Sequence, residues 1–267
     1  MNKIVLVTGA SSGIGLSVAA YLAQKNYTVY GGSRSAPPHK LFHALKLDVT
    51  SEESVQNAVK SIIAKEGRID VLINNAGVGS AGAIEKSPII DIKKSFEVNT
   101  FGVVRLCQAV IPHMRKHHYG VIINISTLGS AIGLPFRAFY SASKGAMSLI
   151  TESLRLEVEG FGIQACTIHP GEVRTNIGQH RIISSDVNDE TYGKVLKKAF
   201  DALDASVEHG KDPAFFGPYI EKIINSKKIK RSYHVGSFEE ILGVKLKRIL
   251  PYYLYERILR YYFKAEE

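Results

Sequence analysis

A glycine-rich turn near the start of the chain constrains its fold more than any other feature. The turn reads Thr8-Gly9-Ala10-Ser11-Ser12-Gly13-Ile14-Gly15 and joins an apolar run at residues 3–7 to a segment of helical periodicity at residues 14–25. Glycines at this spacing permit a tight strand-to-helix connection and let the helix pack closely on the strand. The chain is therefore predicted to begin with the strand and helix of a βαβ unit.

Short apolar runs and longer helical segments continue to alternate over two thirds of the chain. Runs typical of strands cover residues 3–7, 28–30, 44–47, 71–73, 121–125 and 164–168, and helical periodicity covers residues 14–25, 52–65, 89–116 and 138–159. The runs are apolar throughout, as expected of parallel strands buried on both faces. We predict an α/β fold: a doubly wound, mostly parallel sheet of the Rossmann type with helices on both faces.

The alternation ends after residue 168. The segments that follow are predicted to cover the carboxyl ends of the strands. Further helices are expected near residues 190–205 and 213–225, and an aromatic, basic helix follows Pro251. We expect one domain over residues 1–235, in which residues 171–230 form a lid over the substrate. Residues 236–267 are expected to form a helical extension packed on the same domain.

The net charge of +9 is concentrated near the C-terminus. Between residues 222 and 264, eleven basic residues stand against three acidic ones. The preceding part is almost neutral, which argues against a nucleic-acid-binding protein. The terminal helix has three interpretations: packing on the body or on a partner subunit, which is favoured, peripheral contact with an anionic membrane, or a lid over an apolar substrate.

Cysteines and histidines show no spacing typical of a metal site, and no metal is expected. Cys107 and Cys166 are predicted to be buried, reduced thiols. The chain begins with a strand-like run and not with an export signal, and it contains no apolar run long enough to span a bilayer. We expect a cytoplasmic protein.

The first turn and the strands after it predict a dinucleotide site. Arg34 ends the second strand, where a carboxylate would bind the ribose 2′-hydroxyl of NAD(H). A guanidinium suits a 2′-phosphate, so NADP(H) is the preferred cofactor, while NAD(H) stays open. Asp48, followed by Val49, is placed to accept from the adenine amino group. The helix N-terminus presents N–H groups to a pyrophosphate, with contacts expected from Gly9, Ser11, Ser12, Gly13, Ile14 and Gly15.

A second set of residues predicts proton transfer. Tyr140 and Lys144 lie four residues apart in a helical segment, so their side chains share one face. A cation one turn away favours the phenolate and lowers the pKa of a tyrosine toward neutrality. Ser126 and Thr127 place hydroxyls directly after the preceding strand. These four side chains are candidates for acid–base catalysis on a carbonyl or an alcohol.

Together these motifs resemble the short-chain dehydrogenase/reductase family in its one-domain form. The order of the motifs matches that family over residues 1–176. The stretch Gly133-Leu-Pro-Phe is similar to members that act on steroids and retinoids, which suggests a hydrophobic substrate. The matching positions are Thr8-Gly9-x-x-x-Gly13-x-Gly15, Asn74-Asn75-Ala76-Gly77, Asn99, Thr127, Tyr140-x-x-x-Lys144, and Pro170-Gly171 followed by Thr175.

The resemblance implies a role for each matching residue. Tyr140 is the expected acid in reduction and base in oxidation. Lys144 lowers its pKa and holds the nicotinamide ribose, and Asn99 anchors a water linked to Lys144. The substrate-orienting hydroxyl falls on Thr127, with Ser126, one residue too early, as the second candidate. Further cofactor contacts are implied for Asn74, Asn75, Ala76, Gly77, Pro170, Gly171, Val173 and Thr175. The family also implies a homodimer or homotetramer.

The leading hypothesis is an NADP(H)-dependent oxidoreductase that interconverts the carbonyl and alcohol forms of a hydrophobic small molecule by direct hydride transfer. An alternative is a catalytically silent dinucleotide-binding regulator or scaffold, which the intact tyrosine, lysine and asparagines disfavour. An epimerase or dehydratase on the same fold stays open, because fold alone does not decide the reaction. A membrane- or RNA-associated protein is disfavoured by the neutral main fold.

Overall fold

The computed structural model describes residues 2–175, 178, 181–184, 189–247 and 249–262. Residues 176–177, 179–180 and 185–188 of the predicted lid, and residues 248 and 263–267 of the predicted extension, lie outside this description. The strands are β1 (Ile4–Thr8), β2 (Thr28–Ser33), β3 (His43–Lys46), β4 (Val71–Asn74), β5 (Ser80–Ala81), β6 (Gly120–Ile125), β7 (Ile163–Pro170), β8 (Ile182–Ile183) and β9 (Ser232–Val235). The helices are α1 (Gly13–Gln24), α2 (Glu52–Glu66), α3 (Ile89–Phe96), α4 (Gly102–Lys116), α5 (Ala138–Val158), α6 (Gly193–Glu208), α7 (Phe216–Ile224), α8 (Phe238–Leu246) and α9 (Tyr252–Tyr262).

Seven strands form one parallel sheet in the order β3-β2-β1-β4-β6-β7-β9, and β5 pairs with β8 beside it. Val5 of β1 pairs with Val29 of β2 on one side and with Val71 of β4 on the other. The strand order therefore reverses at β1, as in a doubly wound sheet. The predicted fold class is confirmed, and the reversal directs ligand binding to the carboxyl ends of β1 and β4.

Burial on both faces of the sheet explains why its strands are apolar throughout. Leu6 packs into a core cluster with residues of α2, α4 and α5. Its neighbours Val5 and Val7 point the other way, into a cluster with α1 and α7. None of the three side chains has exposed surface. Burial of each contributes about 1.5–3 kcal/mol, so both helical layers are held firmly to the sheet.

Sequence periodicity does not predict strand β9. It pairs with β7 at the edge of the sheet, with Thr167 opposite Ser232 and Pro170 opposite Val235. Only Val235 of its four residues is buried. An edge strand needs no apolar face on both sides, so its residues carry no continuous apolar run.

The helix predicted over residues 89–116 contains a π-helical turn. A π-helical turn, Glu97–Phe101, joins α3 to α4 without a break in the helical path. A π turn inserts one extra residue into a helix and is frequent at functional sites. The insertion turns Asn99 into the interior, where it is fully buried. The prediction is therefore right about the ends and the helical path, and the π turn is the feature that periodicity does not show.

Helices α8 and α9 make up the described part of the predicted extension. Ser237 begins α8 with a capping box, because its hydroxyl accepts from the N–H of Glu240 and its own N–H donates to the Glu240 carboxylate. Val244 and Tyr255 are buried, and Lys247 Nζ donates to the carbonyl of Ala131 at 2.6 Å. The division of the chain at residue 235 stays a prediction. No helix in the described ranges has the length and apolar character needed to cross a membrane.

Candidate active site

A cleft of about 700 Å³ opens at the carboxyl ends of the sheet strands. It lies where the strand order reverses, so its position agrees with the general rule for open α/β sheets. Nearly all of the predicted site residues line it: Gly9, Ser11, Ser12, Gly13, Ile14, Arg34, Asp48, Val49, Asn75, Ala76, Gly77, Ser126, Thr127, Tyr140, Lys144, Pro170, Gly171, Val173 and Thr175. The structure therefore brings together residues that are up to 166 positions apart in the chain.

The glycine turn is shaped by two close approaches. Gly9 has a φ of +67°, a backbone conformation that residues other than glycine rarely adopt. A Cβ on Gly15 would lie 2.3 Å from the carbonyl oxygen of Gly9 and from Asn75 Nδ2. Gly15 is thus packed beneath the turn and does not line the cleft. The predicted cofactor contact of Gly15 is replaced by a structural role.

Thr8 ties the glycine turn to the loop after β4. Its buried hydroxyl accepts from the N–H groups of Asn75 and Ala76, both at 3.0 Å. The Asn75 amide in return donates to the carbonyls of Thr8 and Gly9 at 3.0 and 3.2 Å. These four bonds fix the two loops that border the middle of the cleft.

The N-terminus of α1 opens into the cleft beside exposed hydroxyls. Ser12 has extended backbone angles at the N-cap position, and its side chain makes no capping hydrogen bond. Ser11 and Ser12 are both exposed and line the cleft. The first N–H groups of α1, the helix dipole and the tight glycine turn together suit the pyrophosphate of a dinucleotide. The residues present therefore fit such a cofactor.

Arg34 and Asp48 lie next to each other at the β2–β3 side of the cleft. Burial alone would raise the pKa of Asp48, but hydrogen bonds from the Thr50 N–H and hydroxyl, at 2.9 and 2.7 Å, and the charge of Arg34 hold that pKa below its usual range. Arg34 itself is exposed. This end of the cleft thus offers a fixed carboxylate and an exposed guanidinium.

Tyr140 and Lys144 lie on the first turns of α5, both almost fully buried. Burial lowers the pKa of Lys144 to about 8, and its Nζ donates to the carbonyl of Ile125 at 2.8 Å. Burial raises the pKa of Tyr140, and this effect outweighs the charge of Arg137 and a hydrogen bond with Thr127, which lower it. Arg137 is a cation that lowers the pKa of Tyr140 in this structure, while the Lys144 ammonium bonds to the end of β6. The expected lowering of that pKa by Lys144 stays a prediction.

The two hydroxyls after β6 have different surroundings. Ser126 bonds to the carbonyl of Lys144 at 3.3 Å and to the hydroxyl of Ser148 at 3.0 Å, both within α5. Thr127 bonds with Tyr140, and its oxygen accepts from the N–H of Gly129 at 3.2 Å. Thr127 is thus the hydroxyl beside the phenol, while Ser126 holds α5 to the end of β6.

Two asparagines assigned by the resemblance lie away from the cleft lining. Asn99 exchanges two 2.9 Å hydrogen bonds with the backbone of Val78 and donates to Ser143 at 3.1 Å. Its side chain is used in full to join the π turn to the loop after β4. Asn74 donates to Asn124 on β6 at 2.8 Å inside the sheet, so its expected place in the cofactor cleft is wrong.

Arg137 and Glu172 form an ion pair over the catalytic tyrosine candidate. The Arg137 guanidinium lies 5.1 Å from the centre of the Tyr140 ring. Its Nη1 lies 3.3 Å from Glu172 Oε1, and the two side chains are 18% and 31% exposed. Both residues line the cleft, so its substrate end carries a paired positive and negative charge.

Comparison with known proteins identifies the family. A family model described as short chain dehydrogenase matches residues 3–184. The chain belongs to the short-chain dehydrogenase family. This short-chain dehydrogenase is 38% identical to a 3-ketodihydrosphingosine reductase of Bacteroides thetaiotaomicron, with 98% of each protein covered. It is 32% identical to a 2-(R)-hydroxypropyl-CoM dehydrogenase of Xanthobacter autotrophicus, over 74% of this chain and 85% of that protein.

A solved structure agrees with this relationship. A short-chain dehydrogenase from Streptomyces avermitilis is 29% identical, covers 97% of both chains and superposes with a TM-score of 0.82. The family model and these relatives make the protein an NAD(P)-dependent oxidoreductase.

Some residues that line the cleft of this short-chain dehydrogenase belong to none of the sequence motifs. Arg137 precedes Tyr140 by one helical turn, and Glu172 follows the Pro170-Gly171 pair, so their positions beside known motifs were the available signals. Neither residue type forms a motif by itself. The cleft-lining residues that sequence reasoning missed are Ser33, Leu47, Thr50, Val78, Lys94, Glu97, Val98, Ile125, Arg137, Glu172 and Ile182.

Proposed function

We propose that the protein is an NADP(H)-dependent reductase that converts a long-chain ketone of the 3-ketodihydrosphingosine type into its secondary alcohol. One observation carries the proposal: the same cleft contains Arg34 near β2 and the Thr127, Tyr140 and Lys144 side chains near β6. Three strand spacings separate β2 from β6. The two groups therefore stand about 14 Å apart along the sheet, a distance that an extended dinucleotide can bridge.

The cofactor would lie across the glycine turn. Ser11, Ser12 and the N-terminus of α1 would hold the pyrophosphate, and Asp48 would face the adenine. Arg34 would bind the 2′-phosphate, because a guanidinium pairs with phosphate through two parallel hydrogen bonds. At the other end, Lys144 would hold the nicotinamide ribose.

The bound nicotinamide supplies the hydride for the substrate carbon. Tyr140 donates its proton to the substrate oxygen as negative charge develops there. The Thr127 oxygen accepts from the Gly129 N–H, and its proton, which bonds to Tyr140 in this structure, would turn to a substrate oxygen bound beside Tyr140. Its donation stabilises the developing charge and orients the carbonyl.

A ketone reduction requires a protonated phenol at Tyr140. Burial raises the pKa of this phenol, which favours the protonated form. The substrate class rests on the relative that covers 98% of this chain, the 3-ketodihydrosphingosine reductase. The apolar cleft residues Val78, Val173 and Ile182 agree with a hydrophobic substrate.

Cofactor choice is tested by fluorescence titration with NADPH and NADH in parallel. We expect NADPH to bind more tightly and Arg34→Ala to weaken it about tenfold to hundredfold, with little effect on NADH. Arg231→Ala is the matched control, because Arg231 pairs with Glu152 away from the cleft. Equal affinities for both nucleotides in the unmodified protein would overturn the assignment of Arg34.

The reaction is tested by following NADPH oxidation at 340 nm with 3-ketodihydrosphingosine. We expect turnover by the unmodified enzyme and a loss of about 100-fold to 10,000-fold in kcat for Tyr140→Phe, with NADPH binding retained. Near-normal turnover in this variant would remove Tyr140 as the acid. Tight NADPH binding without turnover of any ketone would favour the silent regulator.

We also propose that the enzyme self-associates through α5 and works in the cytoplasm. Leu149 and Leu156, seven residues apart on one face of α5, are 69% and 74% exposed, and a partner subunit would cover them. Cys107 and Cys166 are buried and unpaired, which agrees with a reducing compartment. Sedimentation equilibrium tests the assembly: Leu156→Lys is expected to reduce the mass to that of one chain, and a monomeric unmodified protein would contradict the proposal.

A further inference from the structure

The Arg137–Glu172 pair occupies a distinctive place between two cavities. Both residues line the main cleft and also a smaller cavity of about 40 Å³ that adjoins it. Tyr140 is shared by the same two cavities. The pair therefore stands beside Tyr140, within reach of groups that flank the reacting oxygen of a substrate bound there.

The carboxylate of this pair is carried on a fixed piece of backbone. The N–H of Glu172 donates to the carboxylate of Glu240 at 2.7 Å, and its carbonyl accepts from the N–H of Lys211 at 3.0 Å. The guanidinium of Arg137 is held in turn against the Tyr140 ring. Side chains that other contacts already fix in place lose little conformational freedom when a ligand binds.

The contact between the two side chains leaves most of their hydrogen-bonding capacity unused. They meet through Arg137 Nη1 and Glu172 Oε1 at 3.3 Å. A guanidinium has five N–H donors, and a carboxylate can accept about four hydrogen bonds. A ligand in the cleft can therefore donate to Glu172 and accept from Arg137 without breaking the pair.

This donor and acceptor arrangement discriminates between head groups. Glu172 attracts an ammonium and Arg137 attracts an oxygen acceptor, so a head group is stabilised when its cationic nitrogen meets Glu172 and its oxygen meets Arg137. A plain hydrocarbon next to the ketone would leave two partly buried charges without a further partner. The pair is suited to a head group with one cationic nitrogen and one neutral oxygen.

We propose that Glu172 is a specificity-determining residue that binds an ammonium group on the carbon next to the substrate ketone, while Arg137 donates to a neighbouring hydroxyl. This inference rests on the proposed ketone reduction at Tyr140. It assigns the substrate class as long-chain amino ketones, with the polar head toward residues 137 and 172.

A different role for Glu172 makes a different prediction. Its negative charge also opposes the ionisation of Tyr140. If Glu172 acted through the tyrosine alone, its replacement would change the reduction of charged and uncharged substrates equally. The ratio of the two kcat/KM values therefore separates head-group binding from an effect on the acid.

The test compares 3-ketodihydrosphingosine with its N-acetyl derivative, which has the same chain and no charge on nitrogen. With NADPH and the full-length protein, we expect the unmodified enzyme to prefer the free amine at least tenfold in kcat/KM. Glu172→Gln is expected to lose about tenfold to hundredfold on the amine and little on the amide, so that the ratio approaches one. Asp201→Asn, which removes a carboxylate that is ion-paired with Lys197 outside both cavities, should keep the preference.

Glu172→Asp serves as a second variant, since it keeps the charge and withdraws it by one methylene. An intermediate preference in this variant supports the inference. An unchanged preference in Glu172→Gln would overturn the inference about Glu172. Equal turnover of both ketones by the unmodified enzyme would overturn it too. In both cases the reductase proposal still stands. If Glu172→Gln does not fold, an unchanged preference in Glu172→Asp overturns the inference. Turnover of neither ketone overturns the reductase proposal together with this inference.

Discussion

Replacement of Lys144 by methionine is expected to make the cofactor-free protein more stable while it removes activity. Burial lowers the pKa of Lys144 from 10.5 to about 8. Because one pKa unit corresponds to about 1.4 kcal/mol, the buried charge costs on the order of 3 kcal/mol at pH 7. Its hydrogen bond to the Ile125 carbonyl offsets about 1 kcal/mol of that cost. Lys144→Met should therefore raise the free energy of unfolding by about 2 kcal/mol.

The advantage of the variant should shrink as the pH rises. At pH 7 the lysine is protonated in both the folded and the unfolded chain, so the burial cost is present in full. Between about 8 and 10.5 the unfolded chain still binds the proton and the folded chain does not, so the stability of the unmodified protein increases with pH. By about pH 9.5, the free energy of unfolding of the unmodified protein should rise by on the order of 2 kcal/mol relative to that of Lys144→Met.

Urea denaturation followed by circular dichroism, without cofactor, measures this difference at both pH values. Lys60→Met is the matched control, because Lys60 is exposed on α2 and its removal should change stability equally at both pH values. A stability gain in Lys144→Met that is the same at both pH values would refute the reasoning, since burial of the charge would not be its cause. Kinetic assays of the same variant should show weak NADPH binding and little turnover.

Four further substitutions test other parts of the site. Asn99→Ala removes the bonds to Val78 and should lower the free energy of unfolding by about 3 kcal/mol, measured by urea denaturation; a change below 1 kcal/mol would contradict the packing described. Thr127→Val should reduce kcat about hundredfold, whereas Ser126→Ala should change it by only a few-fold. The reverse order in steady-state kinetics would show that Ser126 orients the substrate. Glu240→Ala should destabilise the protein by about 1–2 kcal/mol in thermal unfolding, because the α8 cap is lost; an unchanged midpoint would mean that the cap is unimportant.

The sheet and the first turn could be predicted because their signals are local. Burial on both faces makes strands such as β1 apolar throughout, and the turn at Gly9 requires a backbone conformation that glycine adopts readily. Strand β9 has no such signal, because the sheet edge tolerates polar residues. The capping box of α8 is also a local signal, because Ser237 and Glu240 have the expected spacing, but hydrophobic periodicity does not reveal it.

The candidate site could be predicted where its residues belong to motifs, and less well where folding creates the contact. Asn74 and Asn99 lie in recognisable motifs, but the direction of their side chains depends on neighbouring strands and on the π turn. Arg137 and Glu172 are 35 positions apart and meet only because α5 and the loop after β7 border the same cleft. A charge pair of this kind carries no signature in a single sequence.

The carboxylate of Glu240 joins the start of α8 to Glu172 in the candidate active site. One oxygen starts α8 by accepting from the Ser237 N–H, and the other accepts from the Glu172 N–H at 2.7 Å. Displacement of α8 by a partner would have to give up the bond that holds Glu172 in place. The positions of α8 and of Glu172 are therefore linked through one side chain. If Glu172 selects the substrate as we propose, a ligand that shifts α8 would change that selection without altering the sheet, the glycine turn or Tyr140.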